Sequence, residues 1–432
     1  MSRLITAILI GAGGRGSLAY GPYALEHPDE IKFVAVAEPR PTWCDRFAEA
    51  HAIPANRQFD TWEDLLALGK IADTALVCTL DRMHTGPTLS ALALGYDVLL
   101  EKPMSTNLTE SVQLVQAAED HGRLLQICHV LRYTAFFSSL HEIIASGRLG
   151  EIITVEHREN VHFKHMSHSF VRGNWRNADL ESPMILAKCC HDLDILHWNL
   201  GTCIQMQSFG SLRHFRPENA PPGAPLRCTD GCPAASTCPW DSRRVYLGAD
   251  RDSMFVTMAA GKDPSTEVIQ QALETGPYGR CVYHCDNNVV DHQTLNMMFE
   301  NDTSVIMSMH GHAHQESRTT RYDGTRATLR GKFAYGLDDT IEIHDHLSGQ
   351  VEVLYPSAGD SGHGGGDEGL MAGFVSAIHN PSRALTTARE SLESHLMAFA
   401  AEESRLNGQV TSMEAYRRQA EKAAREKRGG PA

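Results

Sequence analysis

Short apolar runs alternate with longer amphipathic stretches from residue 4 to about residue 127. The runs Ala7 to Ile10, Phe33 to Ala37, Thr74 to Cys78, Val98 to Leu100 and Leu124 to Cys128 are compact and mostly apolar. That is the pattern of parallel strands covered on both faces. The intervening stretches carry helical spacing: after Leu108, residues Val112, Val115 and Ala118 recur until Gly122 stops the run. This succession predicts an α/β fold that begins with a Rossmann domain, a doubly wound parallel sheet over residues 1–127.

Past residue 128 the texture changes. A helical stretch through Ile143 to Ser146 ends at Gly147, and strand-like runs follow at Ile152 to His157, Val289 to Phe299, Thr303 to His310 and Thr340 to His346. Helical patterns return at Glu368 to Ile378 and Glu390 to Leu406. The reading is a second α/β domain over 128–432 with a large mixed, mainly antiparallel sheet. The Pro/Gly-rich segment 216–242 reads as a surface loop or insertion.

Composition narrows the partners. The 432 residues are 42% apolar, enough for two cores, and the formal charge is -14 with both signs mixed along the chain. That balance argues against nucleic acid. The basic run from Arg417 to Arg428 carries glutamates and reads as a solvated terminal helix. Without about 18 consecutive apolar residues, no membrane span is expected. Eleven scattered cysteines fit a reducing, cytoplasmic setting.

Gly11-Ala-Gly13-Gly14-Arg15-Gly16 follows the first strand directly and opens a helix. Glycines at this spacing allow a tight turn and close backbone approach to a pyrophosphate, which then faces a helix N-terminus. The second strand ends at Glu38, 22 residues beyond Gly16. An acid there accepts hydrogen bonds from an adenosine ribose and repels a 2'-phosphate, so NAD is the expected cofactor. Arg40, two residues on, leaves NADP use open.

At the fourth strand the chain reads Gly95-Tyr-Asp-Val-Leu-Leu-Glu101-Lys102-Pro103. Together with the glycine fingerprint, this resembles the Glu-Lys-Pro signature of the Gfo/Idh/MocA oxidoreductases. The likeness extends to Thr79 and His84, to Arg148-Leu-Gly150-Glu151-Ile, and to Trp175-Arg176 ahead of the helix bearing His191. The resemblance implies that Gly11, Gly13, Gly14, Arg15, Gly16, Glu38, Thr79, His84, Glu101 and Lys102 line the cofactor. It also implies that Lys102 lies beside nicotinamide and substrate hydroxyl, with His191 as acid/base. The chemistry suits such a pair: hydride leaves a carbinol carbon as its hydroxyl proton is taken, and a cation stabilises the developing alkoxide. Relatives of this kind often pair through the open sheet face of the second domain, so the resemblance implies a homodimer or homotetramer.

At about 100° per residue, Lys188, His191 and Asp194 fall on one side of a helix, and Leu193, Leu196 and Leu200 on the other. Members of the family often carry Asp-x-Gly-x-His-x-x-Asp here, whereas this chain reads Ala187-Lys188-Cys189-Cys190-His191-Asp192-Leu193-Asp194. The histidine and last aspartate remain; the first acid and the glycine do not. Lys188 is expected to take over substrate contact, with Arg132, Asp194, Trp175 and Arg176 completing the substrate site; His284 and His292 are further candidates for the polar wall. His363-Gly-Gly-Gly-Asp367 is either a mobile loop over substrate or a helix cap and turn. Cys228, Cys232 and Cys238 match no strong zinc spacing and read first as a loop of free or packed thiols, so no metal is assigned; zinc with a fourth ligand such as Asp230, His214 or a distant residue is the other reading.

The expected function is hydride transfer between NAD and a secondary hydroxyl of a sugar or cyclitol. Two alternatives share the parts: an NAD-dependent glycosidase or lyase working by transient oxidation and elimination, and a non-catalytic sensor of NAD and a small ligand.

Overall fold

A computed structural model describes residues 3–357, 359 and 362–429. The apolar runs of the first third form six strands: β1 (Ile5–Ile10), β2 (Ile31–Ala37), β3 (Gln58–Phe59), β4 (Thr74–Val77), β5 (Asp97–Leu100) and β6 (Leu125–Ile127). All are parallel, in the order β3-β2-β1-β4-β5-β6. Every residue of β4 is buried, which is why its run is continuously apolar after Thr74. This is the doubly wound sheet the sequence predicts. The crevice above its strand C-termini, where the chain order reverses beside β1, is where such sheets bind ligands.

Nine further strands build a second sheet: β7 (Ile152–His162), β8 (Cys203–Ser211), β9 (His292–Phe299), β10 (Ser304–Ala313), β11 (Ser317–Gly324), β12 (Ala327–Phe333), β13 (Thr340–Asp345), β14 (Val351–Leu354) and β15 (Thr411–Ser412). Their order is β14-β13-β12-β11-β7-β10-β9-β8-β15. Only β7 and β10 run parallel, at the centre; the other pairs are antiparallel. The mixed, mainly antiparallel sheet is as expected. Sequence reading missed β8, β11 and β12 because their inward residues alternate with polar ones that face out, as in Arg321 and Lys332.

The two sheets share apolar packing. Ile10 and Val77 of the first sheet belong to one buried cluster with Val155, Leu295 and Met307 of the second. The helix Gly366–His379 returns to the first domain, placing Leu370, Met371, Phe374 and Val375 in the core that contains Ala7, Leu9 and Phe33. Helix Ala388–Asn407 likewise packs on helix Leu108–Asp120. The segment 216–242 is followed by three short helices, Ser242–Leu247, Ser253–Ala260 and Thr266–Thr275. These have a small core of their own around Tyr246, Phe255, Ile269, Leu273 and Tyr278. The basic C-terminal run is helical, Met413–Gly429, but not wholly solvated: Ala420 and Ala424 are buried and Arg417 bonds Glu393. Among the described residues no helix is long and apolar enough to cross a membrane.

Burial pushes His51 and His129 down to about 4, and His168 and His395 down to about 3. Unfolding returns these imidazoles to about 6.5, so below that pH the unfolded chain binds more protons than the folded one. Their contribution to stability is therefore complete above about pH 6.5 and is lost as pH falls toward 4. The urea midpoint is expected to drop between pH 7 and pH 5, monitored by tryptophan fluorescence; a midpoint that rises over that interval contradicts this account.

Candidate active site

The glycine loop leaves β1 with Gly11 at φ +92°, a conformation that favours glycine. A Cβ at Gly11 would sit 2.7 Å from the Cys78 carbonyl oxygen, and one at Gly16 would sit 2.3 Å from the Gly11 carbonyl oxygen. Gly14 differs: a Cβ there meets nothing within 4 Å, so the loop's outer side is open. The helix that follows is over-wide from Gly14 to Tyr20, the Gly21 N–H reaching back five residues to the Gly16 oxygen. Glu38 is buried at 2% exposure at the end of β2, and the Arg40 guanidinium folds onto it at 2.6 and 3.0 Å. These residues fit a dinucleotide: a cradle closed below and open above, with a buried carboxylate at the ribose end.

Arg15 has the role that the sequence did not reveal. Its side chain turns back from the loop and donates to Glu101 Oε1 at 2.6 Å, to the Tyr20 hydroxyl at 2.6 Å and to both oxygens of Asp367 at 2.6 and 3.1 Å. Tyr20 also donates to Glu101, and the Arg15 guanidinium stacks over the Tyr20 ring at 4.7 Å. One cation thereby ties the fingerprint loop, the end of β5 and the start of helix Gly366–His379. The Glu101 carboxyl is held below its usual range because Arg15 and Lys102 outweigh the effect of its burial. The only sequence signal for Asp367 is its place after three glycines; His363, at φ +53°, stands 3.2 Å from it. His84 bridges the Pro103 and Thr79 carbonyls at 2.7 and 3.1 Å, so it braces the turn after β5.

Lys102 reaches across to the second domain. Its Nζ donates to the Ala187 carbonyl at 2.8 Å, the very position at which the family pattern has an acid. The helix arithmetic needs one correction: Met184–Ala187 and Cys190–Leu200 are separate helices, and Lys188 lies in the turn between them. Lys188 and His191 are consequently not on one continuous helix face. Nor does the Cys190–Leu200 helix divide into a core face and an open polar face, since residues 190–196 are all buried.

His191 is 5% exposed, and its Nδ1 has no hydrogen-bond partner among the described residues. Burial first, then the charge of Lys102, holds its pKa well below the ordinary histidine value. The imidazole is therefore neutral near pH 7 and able to accept a proton. Its ring neighbours are His129 at 5.6 Å and His363 at 6.2 Å between centroids.

The residues expected to bind substrate have protein partners of their own. Arg132 and Asp194 form a two-pronged ion pair, 2.7 Å on each arm, with both side chains buried. Trp175 donates its indole N–H to Asp81, and Arg176 grips Asp286 at 2.7 and 3.0 Å near the surface. Lys188 is held by Glu316 at 2.7 Å and Glu159 at 3.3 Å. A second buried network joins Arg318 to Asp192 at 2.8 Å, to Glu159 at 2.9 Å and to the Tyr335 hydroxyl at 2.7 Å, with His157 on Asp192 at 2.7 Å. His284 bonds the Ala224 carbonyl, 60 residues away in sequence, and His292 bonds the adjacent Asp291.

Comparison with known proteins gives the following matches. Residues 5–129 match the oxidoreductase family's NAD-binding Rossmann fold, and residues 137–330 match the GFO/IDH/MocA C-terminal domain. YteT of Bacillus subtilis (strain 168), whose description places it with the oxidoreductases without a substrate, is 22% identical over 341 residues, covering 76% of this chain and 77% of YteT. Inositol 2-dehydrogenase of Leifsonia xyli subsp. xyli is 25% identical over 206 residues, 45% of this chain and about half (53%) of that enzyme. The fold is similar to that of levoglucosan dehydrogenase solved with NADH and levoglucosan: TM-score 0.70 at 14% identity, covering 95% of this chain and 99% of the other. The first domain is thus an NAD-binding Rossmann domain.

The Arg132–Asp194 pair generates a stability prediction. Arg132→Met strands a buried carboxylate, a change worth about 3–5 kcal/mol. A urea midpoint within experimental error of wild type would mean that this buried pair does not carry the stability assigned to it.

Proposed function

The chain belongs to the Gfo/Idh/MocA oxidoreductase family, and from that membership we propose that it transfers a hydride between NAD and a secondary hydroxyl or keto group of a sugar or cyclitol. The observation that carries this reading is the approach of Lys102, from the end of β5, to the turn that precedes His191. NAD supplies the hydride acceptor; the chain supplies the proton chemistry. His191, neutral and with an uncommitted ring nitrogen, takes the hydroxyl proton as the C–H bond gives up its hydride. The Lys102 ammonium stabilises the alkoxide that develops between those events. Lys188, an ammonium with three donors and two carboxylate partners, presents a remaining N–H toward a sugar hydroxyl in this scheme. Inositol and levoglucosan, the substrates named for two similar proteins, are both cyclic polyols and support the substrate class.

The test is absorbance of reduced nicotinamide while the protein and NAD meet free sugars, inositols and aryl glycosides, with product release followed in parallel. Net NADH formation is expected, lowered by about 100-fold or more in His191→Ala and in Lys102→Ala. Because the His191 pKa lies well below 6.5, kcat/KM for oxidation should show no His191-dependent limb between pH 6.5 and 8. Aglycone release that needs NAD but leaves no NADH would replace this reading with a redox-assisted glycosidase.

The same reading includes assembly. The open side of the second sheet, where Ile153, Ile306 and Phe209 stand more than half exposed among polar residues such as Glu156 and Thr294, is the surface that would meet a second copy of the chain. Light scattering is expected to give two or four times the 47.6 kDa chain mass; a monomer at micromolar concentration refutes the assembly.

A further inference from the structure

The Pro-rich segment and the end of the three-helix insertion are laid side by side by a short antiparallel bridge between Arg227 and Arg280. The Cys228 N–H donates to the Gly279 carbonyl at 2.9 Å, and the Cys281 N–H to the Leu226 carbonyl at 2.9 Å. This pairing brings Cys281 next to Cys228 across 53 residues of chain. A turn, closed by the Cys238 N–H donating to the Ala234 carbonyl at 2.8 Å, carries Cys232 and Cys238 to the same place. The four cysteines, with Asp241 and Trp240, line one cavity. It leaves about 10 Å³ to the centre of a water-sized sphere, the room that one water or one metal ion takes.

An independent feature points to negative charge there. Arg172 is fully buried, yet among the described residues no carboxylate forms an ion pair with it. Its guanidinium donates to the Arg280 and Trp240 carbonyls at 2.7 and 2.6 Å and to Cys228 Sγ at 3.7 Å, and its remaining terminal nitrogen has no partner. A buried cation without an anion costs several kcal/mol. Four thiolates around a divalent ion carry a net charge of about -2 and meet that need.

We propose that Cys228, Cys232, Cys238 and Cys281 form a structural zinc site that fastens the insertion to the second domain, with Arg172 as the countercharge. The fourth ligand is therefore Cys281, not Asp230 or His214. Among the described residues no three donors already stand in a metal-holding arrangement. Binding thus requires the turn bearing the half-buried Cys232 and Cys238 to close onto the buried Cys228 and Cys281. Each thiol gives up its proton to solvent as its sulfur takes the ion, with no change of oxidation state. The site is tetrahedral and closed by four protein ligands, so it is structural and separate from the hydride-transfer chemistry.

The experiment is metal analysis of the full chain purified without chelator, together with cobalt(II) substitution. One zinc per chain and a cobalt spectrum with intense sulfur-to-metal charge transfer are expected. Cys232→Ser and Cys281→Ser should each lower zinc occupancy at least fivefold, whereas Cys285→Ser, whose sulfur lies outside the cavity and faces the Cys281 carbonyl, should keep it. A wild-type protein that carries less than about 0.1 zinc per chain and takes up neither zinc nor cobalt overturns the proposal, as does full occupancy in Cys281→Ser. If the serine variants fail to fold, the wild-type zinc content and cobalt spectrum decide alone.

Discussion

Arg15 is the constraint on which the rest of the site depends. A guanidinium in a glycine loop meant for an anion would ordinarily compete for the loop's own space. Here it is turned away and neutralised by Glu101 and Asp367. The geometry of a planar donor fork, satisfied from two directions, fixes three segments that are far apart in sequence. Glu101 is thereby oriented to accept from the Lys102 N–H at 2.9 Å, so the clamp sets the backbone from which Lys102 extends. The loop, Lys102 and the returning helix form one mechanical unit.

The second domain solves a different problem. A helix with Asp192 and Asp194 beside His191 places two carboxylates where water does not reach. Each is given its own arginine, Arg318 for Asp192 and Arg132 for Asp194, so neither charge is left to act on the imidazole unopposed. With the carboxylates answered, the nearest uncompensated influences on His191 are burial and Lys102, and both favour the neutral ring. Exchanging charge partners in this way keeps a neutral imidazole apart from two acids only one and three residues along.

What the sequence made legible follows from where chemistry leaves a local mark. The glycine fingerprint, Glu38 and Glu101-Lys102-Pro103 are adjacent to apolar runs that name their strands, so both identity and location could be read. Arg132 and Asp194 were legible as residues that matter, but not as partners, because a separation of 62 positions carries no periodic signal. The turn at Lys188 was invisible for a related reason: Ala187 to Cys190 has no glycine or proline to announce a break. Asp367 and Cys281 illustrate the limit most clearly, since each meets its neighbour, Arg15 or Cys228, only through tertiary folding. Strands β11 and β12 escaped because an outward-facing arginine or lysine hides an inward alternation that burial makes plain.

The return of helix Gly366–His379 to the first domain also bears on how the protein is made. A Rossmann domain complete by about residue 130 would normally be able to close as soon as it clears the ribosome. Here Leu370, Met371 and Phe374 are part of its core, so the apolar surface under them stays open while the remaining chain is synthesised. At cellular rates of elongation that interval is on the order of tens of seconds. During it, the nascent N-terminal domain displays a hydrophobic face whose proper cover does not yet exist, the kind of transiently exposed surface on which folding intermediates aggregate.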